Sequence, residues 1–115
     1  PAVGAGIQAS SLAEIEIPVH VVTTQDDELL DPEHNAMFYA KNTPSAGLTV
    51  YEEGGHFVYL SRCSLLVKVF TYFMEFDVCG TRSSVDRGPV HREIGEVAVT
   101  FFDENWDVAS EGPED

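Results

Sequence analysis

The stretch IPVHVVTTQDD, residues 17–27, decides the fold class of this chain. Its β-branched, nearly continuous apolar run is typical of a strand covered on both faces, as in a parallel sheet. The segment LTVY, residues 48–51, predicts a second short strand. Between them, Asp31 as an N-cap acid and Pro32 as the first helical residue predict a helix that runs to about Asn42. The sequence therefore predicts a β–α–β unit with two parallel strands in one sheet.

The remaining segments predict further helices around this unit. Residues 1–10 predict a loop, and residues 11–15 predict one helical turn. Residues 65–76 fit a helical stripe but also have the composition of a strand, and we interpret them as a helix. Asp86 is the predicted N-cap of a last helix, and the apolar residues that follow it at helical spacing predict that this helix packs on the sheet. The acidic tail, residues 107–115, lacks apolar anchors and is expected to be disordered.

Composition limits the partners of the chain. It has 115 residues, of which 43% are hydrophobic, and this length and composition predict one globular unit. Six basic and 20 acidic residues give a net charge of −14, which argues against nucleic acid and against anionic membrane surfaces as partners. No apolar run approaches the roughly 20 residues that span a bilayer.

Two cysteines, Cys63 and Cys79, lack the spacing of a zinc site and are too few for a disulfide scaffold. From spacing alone, one bridge and two unrelated buried thiols are equally consistent with the sequence. A bridge would indicate a periplasmic or secreted protein, and free thiols a cytoplasmic one.

Asp27 and His56 each follow the carboxyl end of a predicted parallel strand, the edge where open α/β sheets place catalytic groups. An acid followed by a histidine is also the order of these residues in an α/β-hydrolase triad. There the carboxylate orients the imidazole, which accepts the proton of the nucleophile. The alternative is a surface acid in a loop before a helix and a histidine in a glycine turn.

Residues 17–22, the segment DPEHNA at 31–36 and the turn Gly54-Gly55-His56-Phe57 resemble the carboxyl-terminal portion of the α/β-hydrolase fold. The segment from Cys63 to Cys79, with VDR at 85–87 and VHRE at 90–93, looks more specifically like bacterial dienelactone-hydrolase-like proteins akin to platelet-activating-factor acetylhydrolases.

The resemblance covers residues 1–106. It implies a partial α/β-hydrolase fold, the last two parallel strands with flanking helices, from a serine hydrolase of small acyl or lactone esters. It further implies that Asp27 is the triad acid, with Asp26 as the rival, that His56 is the base, and that Cys63 and Cys79 are bridged.

A nucleophile is missing from this pattern. No Gly-x-Ser-x-Gly occurs, and Ser45 lies on a helix-to-strand connection, whereas a nucleophile elbow needs a strand-to-helix turn. Ser61 and Ser64 follow His56 too closely in the sequence to be the nucleophile of this fold. The sequence therefore predicts one of two things. Either the chain carries two of the three triad residues and is inactive alone, or it is a non-catalytic α/β interaction or dimerisation module.

The first predicted strand should also leave an edge without hydrogen-bond partners. An absent amino-terminal part of the same fold, a second copy of the chain, or partial disorder would each resolve this problem.

No metal or cofactor is predicted. The acidic cluster of residues 26–34 lacks the glycine and terminal glutamate of an EF-hand, and helix N-terminal charge preference explains it better. His20 is interpreted as a satisfied strand residue and His91 as part of a surface helix turn.

Overall fold

The computed structural model describes residues 7–75, 77–80 and 85–110. The elements, in chain order, are α1 (Ala9–Leu12), β1 (Val19–Thr24), α2 (Ala36–Asn42), β2 (Ala46–Tyr51), a 3₁₀ turn (His56–Tyr59), α3 (Leu65–Thr71) and α4 (Arg87–Ser110). The chain is mixed α/β, which confirms the predicted class.

The two strands form one parallel sheet, as predicted. Val19 lies opposite Ala46, and Thr24 lies opposite Tyr51. Within the described part of the chain, β1 pairs only with β2, so its other edge carries no strand there. The parallel arrangement brings the carboxyl ends of both strands to the same edge of the sheet.

β2 begins at Ala46, two residues before the predicted start. Ala46 and Gly47 are poor strand formers, so the sequence gives no signal there. Pairing with β1 explains the extension, because Gly47 lies opposite His20. A Cβ atom at Gly47 would come within 2.5 Å of the His20 ring, which hydrogen bonds to the Thr49 hydroxyl at 2.9 Å.

The predicted start of α2 is wrong. The helix begins at Ala36, although it ends at Asn42 as predicted. Asp31 and Pro32 instead belong to a turn, in which the Asp31 carboxylate accepts the Glu33 N–H and pairs with His34. These side-chain hydrogen bonds compete with helix formation, and Asn35 at φ −121° and ψ −94° is not helical.

The last two helices also differ from the sequence expectation in their ends. α3 ends at Thr71, and Phe76, the last residue of the predicted helix, lies outside the described residues. α4 begins after Asp86, whose carboxylate accepts the Gly88 N–H at 2.9 Å, which is the geometry of an N-cap. The helix extends to Ser110, into the segment predicted as a tail.

Two predictions concern the ends of the chain, and the structure describes these ends only in part. Residues 111–115 of the predicted tail, and residues 1–6 of the predicted amino-terminal loop, lie outside them. Over the described ranges, no helix is both long and apolar enough to cross a bilayer.

Packing around the sheet is incomplete. α2 packs against both strands. A groove of about 500 Å³ lies between the sheet and α4 and is lined by His20 and Phe101, whose ring centroids are 5.9 Å apart. The radius of gyration is 16.8 Å, against about 13 Å for a compact domain of this length. Leu48 and Val50 are more than one-third exposed, so the prediction of apolar strands buried on both faces is not met here.

Candidate active site

Asp27 and His56 meet at the carboxyl edge of the sheet. Asp27 follows β1 by three residues and His56 follows β2 by five. The Nδ1 atom of His56 lies 2.9 Å from Oδ2 of Asp27, with the Asp27 side chain 9% exposed and that of His56 32% exposed. A carboxylate only accepts, so Nδ1 carries the proton in this hydrogen bond. The lone pair of the neutral imidazole is then on Nε2, the nitrogen that a general base uses.

The turn after β1 determines where the Asp27 carboxylate lies. The Gln25 N–H donates to the Tyr51 carbonyl at 2.7 Å, which continues the strand pairing by one step. Asp27 Oδ1 then accepts the N–H groups of Leu29 and Leu30, at 2.9 and 2.8 Å. One carboxylate oxygen therefore fixes the local turn, while the other holds the imidazole.

Asp26, the rival for the acid role, has a different partner. Its carboxylate accepts the backbone N–H groups of Gly54 and Gly55, at 3.2 and 2.8 Å. Glu28 accepts the backbone N–H of His56 at 3.1 Å. Three consecutive acids therefore hold one loop, and only Asp27 contacts the imidazole.

The two glycines before His56 are required by this loop. Gly54 has φ +141° and Gly55 has φ +62°, conformations that side chains other than glycine's rarely adopt. A Cβ atom at Gly54 would lie 2.9 Å from the buried Val58, and one at Gly55 would lie 2.8 Å from the Glu28 carboxylate. Glycine thus permits the acids to approach the backbone closely enough to bind it.

The 3₁₀ turn that begins at His56 is anchored from two sides. Thr24, fully buried at the end of β1, donates its hydroxyl to the Gly55 carbonyl at 3.3 Å. His91 of α4 lies with Nε2 2.7 Å from the Val58 carbonyl, and therefore donates to it. The interpretation of His91 as part of a surface turn missed this contact, because no sequence pattern marks a distant backbone carbonyl as a partner.

Tyr59, at the end of the 3₁₀ turn, is a titratable side chain that the site affects. Partial burial, followed by the negative charge of Asp27, raises the pKa of its phenol, although a hydrogen bond with Thr24 acts in the opposite direction. The phenol of Tyr59 therefore lies close enough to the Asp27 carboxylate for that charge to act on it.

Cys63 and Cys79 form a disulfide, with their Cα atoms 5.6 Å apart. The bridge implied by the family resemblance is thus confirmed, and both thiols are lost as nucleophiles.

The serines considered from the sequence lie in other environments. Ser45 donates to the Ile17 carbonyl, which precedes β1 and so lies toward the opposite end of the sheet from His56. Ser64 is the N-cap of α3 and accepts the Val67 N–H at 3.5 Å. Among the described hydrogen bonds, none joins a serine hydroxyl to the His56 ring, so the dyad has no nucleophile there.

The acidic cluster between Asp26 and His34 is largely occupied by the hydrogen bonds given above. No group of three or more His, Cys, Asp or Glu side chains in the described ranges is arranged to hold a metal ion.

No protein-family model matches the chain, and searches of curated proteins and of solved structures found no match either. The hydrolase relationship and the catalytic roles of Asp27 and His56 therefore stay predictions.

Proposed function

We propose that this chain is the acid- and base-bearing carboxyl-terminal segment of a serine hydrolase that cleaves acyl or lactone esters. In this proposal Asp27 orients the imidazole of His56, and His56 accepts the proton of a serine hydroxyl and returns it to the leaving group. In this proposal the serine and the oxyanion hole come from another polypeptide segment, since no described hydrogen bond joins a serine to His56, and the chain is inactive by itself.

The observation that supports the proposal is the hydrogen bond between Asp27 and His56. The two residues are 29 positions apart, and they meet only because two parallel strands end at one edge. The carboxylate is almost inaccessible, while the imidazole keeps about a third of its surface exposed. A base needs such a partner on one nitrogen and access for a substrate at the other.

The missing groups would have to come from a further polypeptide segment with a strand and a nucleophile elbow. The edge of β1 without a partner strand is the natural place for it, because an added parallel strand there would also end beside Asp27. The Cys63–Cys79 bridge supports an oxidising compartment for the assembled enzyme.

The gene product that carries this chain tests the proposal directly. We expect it to react with a fluorophosphonate probe and to hydrolyse p-nitrophenyl esters. His56→Ala and Asp27→Asn should lower turnover by at least about a hundredfold, the range of general acid–base catalysis. The controls are His34→Ala and Asp31→Asn, which break the exposed Asp31–His34 pair and should leave turnover unchanged.

The 115-residue chain by itself provides a second test. The 115-residue chain should not turn over p-nitrophenyl esters above the background of free imidazole. If the 115-residue chain does hydrolyse these esters and His56→Ala abolishes the activity, then a nucleophile in the chain has been missed. Full activity of the His56→Ala gene product would refute the proposal.

The sequence has no Gly-x-Ser-x-Gly motif, and no serine in the described residues is hydrogen bonded to His56, which favours one other function: a non-catalytic α/β module that pairs through the edge of β1. It predicts a chain that self-associates and a gene product that does not react with fluorophosphonate. Light scattering of the wild-type chain and fluorophosphonate labelling of the gene product distinguish it from the enzyme.

A further inference from the structure

The orientation of the His56 ring depends on its main chain as well as on Asp27. A shift of the His56 Cα atom carries the ring with it, so such a shift would move Nδ1 away from Oδ2 of Asp27. His56 directly follows Gly54 and Gly55, and glycine has more backbone freedom to lose on folding than any other residue. An imidazole that stays in place therefore requires contacts that hold the backbone of this loop.

Glu28 holds the main chain of His56 directly. Its Oε2 atom accepts the His56 N–H at 3.1 Å. The carbonyl of the same peptide unit belongs to Gly55 and accepts the Thr24 hydroxyl at 3.3 Å. Both polar groups of one peptide unit are therefore bound, and this fixes the plane from which the His56 side chain leaves the backbone.

The backbone at Gly55 leaves room for this carboxylate. A Cβ atom at Gly55 would come within 2.8 Å of Glu28 Oε2, so any other residue at this position would push the carboxylate away from the His56 N–H. The close approach of Glu28 is thus built into the loop and does not depend on a chance rotamer of an exposed side chain.

The other contacts at this loop fix different atoms. Asp26 binds the N–H groups of Gly54 and Gly55, which belong to earlier peptide units. Phe57 lies edge-on to the His56 ring with 5.2 Å between the centroids, but it is the next residue in the chain and moves with the loop. Asp27 and Glu28 are consecutive, so one short segment after β1 binds both the ring and the backbone of His56.

We propose that Glu28 is a positioning residue for His56. By binding the His56 N–H it keeps the imidazole against Asp27 and in the Nδ1–H form. Glu28 is not a catalytic residue, because its carboxylate contacts the backbone and not the imidazole. The effect on turnover rests on the proposed hydrolase function, whereas the effect on the imidazole can be measured in the 115-residue chain alone.

The expected effect is moderate. Glu28 is exposed, so water competes for its hydrogen bond, and the loss of such a charge-assisted bond shifts a conformational equilibrium by about tenfold. In Glu28→Ala, kcat of the gene product should therefore fall by about three- to tenfold. KM should stay unchanged, since Glu28 positions a group that acts in the transition state.

Two further substitutions separate the reach of the side chain from its charge. Glutamine has the same length and keeps an acceptor oxygen, so Glu28→Gln should keep kcat within about twofold of the wild type. Aspartate keeps the charge but is one methylene shorter, so Glu28→Asp should lose as much as Glu28→Ala. Glu53→Ala is the matched control, because Glu53 is an exposed glutamate of the same loop whose side chain makes no described hydrogen bond.

Nitrogen-15 spectra of the 115-residue chain give a readout that does not need turnover. The fraction of His56 in the Nδ1–H form should fall in Glu28→Ala and Glu28→Asp, and it should be retained in Glu28→Gln and Glu53→Ala. Exchange of the His56 amide proton should accelerate in the same two variants. Far-ultraviolet circular dichroism checks that each variant is folded, and Glu28→Asp replaces Glu28→Ala if the alanine variant does not fold.

The outcomes separate the positioning role from the hydrolase function. An unchanged His56 tautomer in Glu28→Ala and Glu28→Asp would overturn the positioning role. Equal losses in Glu28→Gln and Glu28→Ala would also overturn it, because the charge and not the hydrogen bond would then matter. A gene product without esterase activity, in which the tautomer still responds as expected, would refute the hydrolase function and support the positioning of the imidazole by Glu28.

Discussion

Replacing Asp27 by asparagine should reverse the tautomer of His56 without disturbing the loop. Asparagine keeps the Oδ1 atom, which accepts the N–H groups of Leu29 and Leu30, so the turn after β1 is retained. The second oxygen, which accepts from the His56 Nδ1–H at 2.9 Å, becomes an amide NH₂ group. Two donors would then face each other, and the imidazole relieves the conflict by moving its proton to Nε2.

The geometry sets the size of the effect. A hydrogen bond to a charged group contributes about 1.5–3 kcal/mol when well shielded, and the partial exposure of His56 reduces it here to about 1–2 kcal/mol. That range corresponds to about 5- to 30-fold in the ratio of the two tautomers. An imidazole protonated on Nε2 has no lone pair there for a serine proton, so the same change removes the proposed base.

Nitrogen-15 correlation spectra of the imidazole, recorded above the pH at which histidine titrates, measure the tautomer directly. Wild-type His56 should be mainly in the Nδ1–H form, and Asp27→Asn should shift it mainly to the Nε2–H form. Asp31→Asn is the matched control, because its histidine partner is His34 and it should leave the His56 signals in place. A wild-type His56 mainly in the Nε2–H form would refute the reasoning.

Three other predictions concern the loops and the disulfide. Asp26→Ala should lower stability by about 1–2 kcal/mol, because the Gly54 and Gly55 N–H groups lose a charged acceptor. Hydrogen exchange at Gly55 should accelerate, and an unchanged rate would contradict the contact. Replacing both cysteines by serine should lower the free energy of unfolding by about 3 kcal/mol, the loop-entropy value for a separation of 16 residues. Urea titration of the oxidised wild type and the double variant measures this loss, and a loss below about 1 kcal/mol would contradict it. Burial and Asp27 raise the pKa of Tyr59, so the unfolded chain releases that proton first and stability should fall as the pH rises through about 10. Tyr59→Phe should fall less steeply between pH 9 and 11 than Tyr72→Phe, and equal slopes would count against it.

The parallel sheet could be predicted because its signals are local. A β-branched run, a polar break and a second short run of the same kind fix two strands. The length of the connection between them then requires a crossover and a parallel pairing. The same topology places Asp27 and His56 at one edge, so their proximity follows from chain order rather than from any feature of the two residues.

The helix boundaries could not be predicted as well, since tertiary and side-chain contacts set them. Asp31 and Pro32 carry a strong helix-start signal, yet the Asp31 carboxylate is occupied by the Glu33 N–H and by His34 within a turn. Local propensity and turn chemistry compete for the same residue there, and the turn wins. At β2 the opposite occurs, because pairing with β1 recruits Ala46 and Gly47 despite their low strand propensity.

The acids on either side of Asp27 were not predictable at all. Asp26 and Glu28 bind backbone N–H groups, and a backbone group has the same chemistry at every residue, so the sequence does not reveal which one an acid will contact. The glycines give a partial signal, because a pair of them beside a histidine allows backbone conformations that only glycine adopts easily.

Comparison of two Asp–His contacts in the described residues shows why one of them suggests chemistry. Asp31 and His34 are three residues apart, and both side chains are well exposed, so any turn of this shape brings them together. Asp27 and His56 are brought together only by the folded sheet, and their loop is further held by Asp26, Glu28, Thr24 and His91. The exposed Asp31–His34 contact is a surface ion pair worth about 0–1 kcal/mol, whereas the Asp27 carboxylate is shielded from solvent. The proposal that His56 acts as a base therefore rests on the Asp27–His56 contact, which keeps the imidazole oriented and partly accessible, and not on the Asp31–His34 pair.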